Sequence, residues 1–211
     1  MPPHDLFERR LRARGARIIA GIDEAGRGPL AGPVAAAAVI LHPDDLPDGL
    51  DDSKLLPAVR REELYGEIVA RALAVGVGFA SVAVIDRINI RQATFAAMRQ
   101  AVAALSLRPA CLLIDGNDAP PHLPCPAETL IKGDSLSVSI AAASIVAKVL
   151  RDRMMVRLHD AHPVYDFKAH KGYGTAAHRA AIATHGLSPH HRKLFCTPRA
   201  EDARNVLAKK S

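Results

Sequence analysis

Asp23-Glu24-Ala25-Gly26-Arg27-Gly28 puts two adjacent carboxylates, two glycines and a guanidinium at the exit of the apolar run Arg17-Ile18-Ile19-Ala20-Gly21-Ile22. Paired carboxylates after a buried strand repel each other unless something neutralises them. A hard divalent cation does this with oxygen ligands, and Mg²⁺ in particular combines a few carboxylates with waters and substrate phosphate. Two such ions ~4 Å apart activate a water and stabilise the leaving oxygen of an in-line displacement. Glycine permits positive φ and close backbone approach, so the Gly-Arg-Gly turn can offer bare amides and one cation to a phosphate or sugar.

Two further carboxylates share this placement. Asp115 ends the run Ala110-Cys111-Leu112-Leu113-Ile114, and Asp134 follows residues 128–132 and Gly133. Taken singly, each reads as a turn former, because Asp-Gly and Gly-Asp are common turn dipeptides. They converge with Asp23 and Glu24 only if the first strand lies beside the fourth. Asp44, Asp45, Asp48, Asp51 and Asp52 fall in a polar loop, and most of them read as solvated. The segment Gly26–Pro33 lacks Gly-Lys-Ser/Thr and precedes a strand, so it is neither a P-loop nor a dinucleotide fingerprint. A tight hairpin connection is its plainer reading.

The elements that must position these groups follow from periodicity and turn residues. Strands are predicted over 17–22, 33–41, 75–84, 110–114 and 128–132. Helices are predicted over 58–73, 85–105 and 136–160, with a short one near 175–185. Residues 1–16 read as a frayed helix and 42–57 as a loop. Strands in succession, then strands alternating with helices, give an α/β fold: a mixed β-sheet flanked by helices, with helical character dominating after residue 135. The length of 211 residues suits a single domain. Its core would span about 17–160, with a small helical C-terminal extension, rich in His, Lys and Gly, over about 163–211.

Composition narrows the function classes. Hydrophobic residues make up 49% but aromatics only 4%, without Trp, so the core must be Ala, Val, Ile and Leu. A formal net charge of +6 suits a polyanionic partner. No apolar run reaches membrane-spanning length, and the N-terminus lacks a signal-peptide core. Cys111, Cys125 and Cys196 are dispersed without a CxxC, as expected of reduced thiols in a cytoplasmic protein.

From about residue 17 to 197 the chain closely resembles bacterial ribonuclease HII. The resemblance rests on Gly21–Val34 as an opening signature, Asp52-Ser53-Lys54, Asn89-Ile90 and Leu113–Asn117. It continues through Lys132-Gly133-Asp134, Ala142–Val149 with Arg151-Asp152, and His170–Thr175. It implies a ribonuclease H-like fold and a metal-dependent endoribonuclease acting on the RNA strand of RNA–DNA hybrids. Such an enzyme cuts 5′ of ribonucleotides embedded in duplex DNA, giving 3′-hydroxyl and 5′-phosphate ends, in removal of misincorporated ribonucleotides and RNA primers.

The resemblance places the four metal-site carboxylates on Asp23, Glu24, Asp115 and Asp134, with Mn²⁺ or Mg²⁺ as cofactor. The ribonucleotide-reading element falls on Gly26, Arg27 and Gly28, and the junction tyrosine on Tyr173. Lys54 is the basic residue singled out for substrate binding. The departure is Leu55-Leu56-Pro57, where the family commonly has Lys then Ser or Thr; Pro57 would start the helix at its first turn. A monomer without an obligate protein partner is expected.

RNA is distinguished from DNA by its 2′-hydroxyl, which both donates and accepts. A Gly-Arg-Gly backbone can meet both needs, and Tyr173 offers a flat face to the next, deoxy sugar. Lys54, Lys132, Lys148, Lys168, Lys171, Arg192 and Lys193 are candidate phosphate contacts. Ser144 and its alanines read as close helix packing, and Asp152, after Arg151, as half of a structural ion pair. The histidines after residue 158 show no zinc spacing; His170 would position the Lys171–Tyr173 loop and the rest decorate a basic face. Three other readings stand: a DNA-junction nuclease of the same fold, a non-catalytic nucleic-acid-binding module, and a His-dependent ribonuclease leaving cyclic phosphate. Dependence on a 2′-hydroxyl, the intact carboxylate set and activity in EDTA separate them.

Overall fold

The computed structural model describes residues 2–196. Five strands form one sheet: β1 (Ile19–Ala25), β2 (Val34–Ile40), β3 (Ala74–Ala80), β4 (Cys111–Asp115) and β5 (Ala127–Leu130). Their order is β3-β2-β1-β4-β5. The first three are antiparallel neighbours, while β4 and β5 run parallel to β1. The sheet is mixed, as its alternation of elements predicts.

The helices are α1 (Leu6–Ala13), α2 (Ala58–Arg71), α3 (Val82–Ala103), α4 (Val138–Ala161), α5 (Phe167–His170), α6 (Ala176–His185) and α7 (Lys193–Cys196). One face of the sheet packs on α3 through Ala20, Ile22, Ala36, Ala38, Ala97 and Ala101. The other packs on α2 and α4 through Ala37, Val39, Leu64, Ile68, Ala142 and Val146. β2 is buried along its whole length, which is why its run of alanines carries no polar alternation.

Several boundaries differ from those read in sequence. β1 does not end at Ile22: its ladder with β2 continues through Asp23↔Ala37, Glu24↔Ala36 and Ala25↔Ala35. Backbone pairing, not apolarity, sets where a strand stops. β3 ends at Ala80, because Ser81 accepts a hydrogen bond from the Val84 amide and starts α3 there. α3 breaks at Asn89, whose φ of 65° and ψ of 164° are not helical; its side chain accepts from the Gln92 amide and caps the second half. Pro57 stands at the N-cap position of α2, one residue outside the helix. α1 is docked, not frayed: buried Glu8 accepts from the Ser137 hydroxyl (2.6 Å) and the Ser139 amide (3.0 Å) at the start of α4.

Two features set up the site. β1 and β4 are adjacent, with Ile22 opposite Ile114, so Asp23 and Asp115 come next on neighbouring strands. At Gly21 the start of α4 lies directly on β1; a Cβ there would sit 2.1 Å from the Ser139 carbonyl carbon. The α4 N-terminus, and the turn before it that carries Asp134, are thereby drawn against the strand ends.

Candidate active site

Side chains alternate across a strand, so Asp23 and Glu24 point to opposite faces of β1. Asp23 shares the α4 face with Gly21, and Asp115 shares it with Leu113, which packs on Ile140 of α4. Asp134 comes from a 3₁₀ turn, Gly133–Ser135, entered through a left-handed Lys132 with φ of 57°. One oxygen from each of Asp23, Asp115 and Asp134 lies within 4.8 Å of the others. Glu24 stands outside this cluster, at the strand end, 3.2 Å from the Arg27 guanidinium. The sequence groups four carboxylates; the fold brings three together and sets the fourth beside them on the other face.

Backbone amides orient the cluster. Asp23 Oδ1 accepts from the Glu24 amide at 2.6 Å and Asp115 Oδ1 from the Gly133 amide at 2.7 Å. Each keeps its second oxygen for another partner. Burial, then Glu24 and Asp115, hold the Asp23 carboxyl well above the usual carboxylate range. Burial and Asp115 also raise Asp134. Burial raises Glu24, against the pull of Arg27.

The cation nearest Asp134 is Lys54, 3.3 Å from Asp134 and 3.7 Å from Asp52. Burial works against its charge, but Asp52, Asp134 and Asp23 outweigh it and raise its pKa. One exposed ammonium does not neutralise three converging carboxylates. Free oxygens, shared repulsion and an all-oxygen donor set fit a hard divalent cation.

A cleft of about 250 Å³ opens over Asp23, Glu24 and Asp115. Its walls include Gly26, Arg27, Gly28, Lys54 and Tyr173, so the candidate recognition residues share one opening with the carboxylates. The two glycines differ in kind. Gly26 has φ of +96°, and a Cβ there would lie 1.9 Å from Arg151 Nε. At Gly28 a Cβ would meet nothing within 4 Å. Gly26 answers to the protein interior, whereas Gly28 faces open space.

The family model described as ribonuclease HII matches residues 20–198. The chain belongs to the ribonuclease HII family. Ribonuclease HII of Brucella anthropi is 59% identical over 196 residues, 92% of this chain and 89% of that one. Among solved structures, the fold is similar to ribonuclease H2 of Pyrococcus horikoshii, with a TM-score of 0.69, 23% identity and coverage of 91% of this chain and 98% of that one. It is also similar to a chain of the PCNA:RNase HII complex of Archaeoglobus fulgidus, with a TM-score of 0.68 at 27% identity, covering 87% and 99%. The protein is thus a ribonuclease H with a ribonuclease H-like fold. Among the described residues, no helix is long and apolar enough to cross a membrane.

Several basic and imidazole groups have duties that the sequence conceals. Arg192 does not reach out to phosphate: it is fully buried and spends its guanidinium on backbone carbonyls. Burial, then the neighbouring Arg151, push its pKa down to about 9. Lys148 is held at 2.7 Å by Asp152, which also lies 3.8 Å from Arg61. Asp152 is therefore ion-paired, but to Lys148 and not to Arg151. Ser144 donates to the Ser53 hydroxyl at 2.7 Å and ties the Asp52–Lys54 block to α4.

His178 and His191 are buried rather than on a basic face. His191 Nδ1 accepts from the Ser188 amide, so in the neutral ring its Nε2 carries the proton and donates to His178 Nε2 at 3.0 Å. His178 Nδ1 then donates to the Tyr173 carbonyl at 2.9 Å. His170 accepts from the Gly172 amide at 3.1 Å, and does position the Lys171–Tyr173 loop. Neither an arginine in His-His-Arg nor a histidine in a short helix carries a sequence signal for such burial. The part of the C-terminal extension beyond residue 196 lies outside the described residues.

Proposed function

We propose that this ribonuclease H is a metal-dependent endonuclease acting on the RNA strand of RNA–DNA hybrids and on duplex DNA with embedded ribonucleotides. It cuts 5′ of the ribonucleotide and leaves 3′-hydroxyl and 5′-phosphate ends. Its role is removal of misincorporated ribonucleotides and RNA primers in the cytoplasm. The observation that carries this reading is one cleft shared by Asp23, Glu24, Asp115, Gly26, Arg27, Gly28, Lys54 and Tyr173.

Asp23 and Asp115 are assigned as direct ligands of Mn²⁺ or Mg²⁺ through the oxygens their backbone bonds leave free. Asp134 completes the cluster, and Glu24 acts from the adjoining face. Such cations, when bound, lower the pKa of water and offset charge on a leaving oxygen. The chain's own residues supply orientation. Lys54, beside Asp134, meets the phosphodiester. The amides of Arg27 and Gly28 donate to no protein acceptor among the described residues, which suits reading a 2′-hydroxyl. The open Gly28 position lets that ribose approach the backbone. Tyr173, half-exposed with Arg151 5.9 Å from its ring centre, presents a face to the following deoxyribose.

The test is cleavage of duplex DNA with one ribonucleotide beside an all-DNA duplex, in Mg²⁺, Mn²⁺ or EDTA, resolved on a denaturing gel. Metal-dependent cutting only 5′ of the ribonucleotide, lost in Asp115→Asn, is expected. Cleavage in EDTA with cyclic phosphate ends, or equal cutting of all-DNA duplex, would reject the reading.

A further inference from the structure

The Arg192 guanidinium makes five hydrogen bonds, all to one loop. They reach the carbonyls of Gly26 (2.6 Å), Arg27 (2.8 Å), Gly32 (3.0 and 2.8 Å) and Pro33 (3.2 Å). No carboxylate within ion-pair distance balances its charge among the described residues. A second buried cation, Arg151, holds the same loop from α4 by the carbonyls of Ala31 (3.2 Å) and Pro33 (3.0 Å). It also takes the carbonyl of Lys171 (3.0 Å), two residues before Tyr173. Burying two neighbouring cations on neutral acceptors is costly, so packing alone is a poor account of them.

The peptide geometry supplies a reason. In a trans peptide the C=O and the following N–H point in opposite directions, and this chain has no cis bonds among the described residues. The Gly26 carbonyl shares its peptide with the Arg27 amide, and the Arg27 carbonyl shares its peptide with the Gly28 amide. Turning both carbonyls inward onto one guanidinium turns both amides outward. We infer that Arg192 is a positioning residue for substrate choice: it fixes the direction in which Arg27 and Gly28 present their N–H groups to the ribonucleotide. Arg151 and the Leu30 amide, which donates to the Gly172 carbonyl at 2.9 Å, join this loop to the Tyr173 loop. The two recognition elements are therefore tied to each other. The inference rests on the proposed reading of the 2′-hydroxyl by the Gly-Arg-Gly backbone.

The test substitutes Arg192→Lys, which keeps the charge but replaces a planar fork with a compact ammonium. It is made in an Asp115→Asn background in Mg²⁺, so that binding is read without turnover. Fluorescence anisotropy compares duplex DNA carrying one ribonucleotide with all-DNA duplex. The expected result is a ribonucleotide preference in the Arg192 parent that falls at least tenfold in Arg192→Lys, with all-DNA binding unchanged. A folded variant that keeps the preference within twofold overturns the inference. A parent without any preference refutes the Gly-Arg-Gly reading itself.

Hydrogen exchange on the unaltered chain tests the geometry even if Arg192→Lys fails to fold. Leu30 and Gly32 amides, bonded to Gly172 and His190 carbonyls, should exchange slowly, while Arg27 and Gly28 exchange fast. Protection of Arg27 and Gly28 equal to that of β1 would show them turned inward and overturn the proposal.

Discussion

Replacing Asp134 by asparagine should stabilise the metal-free protein. Asp134 is 4% exposed and has one oxygen within 4.8 Å of those of Asp23 and Asp115. Like charges at that separation cost about 3 kcal/mol per pair at an effective dielectric near 20. Lys54, 3.3 Å away but 73% exposed, returns about 1 kcal/mol. The Asp23 carboxyl, raised by burial and its acidic neighbours, favours its neutral form more than an ordinary carboxyl does, which trims the repulsion further. Counting only the pair with Asp115, because Asp23 favours its neutral form, and subtracting the Lys54 contribution leaves a net gain of about 2 kcal/mol, which corresponds to a Tm increase of about 4–8 °C for a domain of this size.

The pH dependence has a definite sign. Asp23 and Asp134 have folded pKa values above the ordinary 3.8. Their contribution is therefore fully favourable below 3.8 and is lost as pH rises through the raised folded values. The gap between Asp134→Asn and the unaltered chain should widen over that interval. Thermal unfolding by circular dichroism in EDTA, from pH 4 to 8, reads both quantities. Added Mn²⁺ should narrow or reverse the gap, because the cation stabilises the form that binds it. A Tm several degrees lower for Asp134→Asn throughout the range in EDTA would refute the reasoning and make Asp134 a structural partner of Lys54.

Three further outcomes are expected. Gly28→Ala should unfold within about 0.5 kcal/mol of the unaltered chain yet lose at least about tenfold in cleavage at a single ribonucleotide; Gly26→Ala, forced against Arg151 at positive φ, should lose about 2–5 kcal/mol of stability. Urea titration beside the cleavage assay separates the two, and equal stability losses would undo the distinction. Tyr173→Ala should retain its Tm within about 2 °C, as its ring is half-exposed, while cleavage at the RNA–DNA junction falls; unchanged junction cleavage would remove Tyr173 from the site. His191, whose pKa is lowered from 6.5 to about 4 by burial and by His178, contributes stability above 6.5 that is lost as pH falls through 4, at most about 3 kcal/mol. Nuclear magnetic resonance of the imidazole should show no titration above pH 5, and a midpoint near 6.5 would refute the relay to Tyr173.

Residue order carried a large part of this protein. Buried strands are dense in Ala, Val, Ile and Leu whatever surrounds them, and helices repeat their apolar face locally, so the five strands and long helices are legible with boundaries wrong by a few residues. The errors have two causes. Strand ends are set by partner strands, as where β2 carries β1 past Ile22 through Glu24; helix starts are set by caps such as Ser81. The motifs Asp23-Glu24, Gly26-Arg27-Gly28 and Lys132-Gly133-Asp134 identify the family because their types and spacing survive without coordinates.

Only the tertiary structure decided how these groups divide. The pairing of β1 with β4 and the seating of α4 on Gly21 bring Asp23, Asp115 and Asp134 together, while strand alternation sends Glu24 to the opposite face. A linear chain contains no measure of burial for a single cation or imidazole. Arg192 therefore looks like a phosphate contact beside His190 and His191, and becomes the interior support of a loop 159–166 residues away. His178 and His191 likewise look solvated until α6 and the following turn close over Phe167 and Tyr165. Chemistry that depends on residue type is written in the sequence, whereas the direction of a backbone amide is fixed only when distant side chains take hold of the carbonyls on its other side.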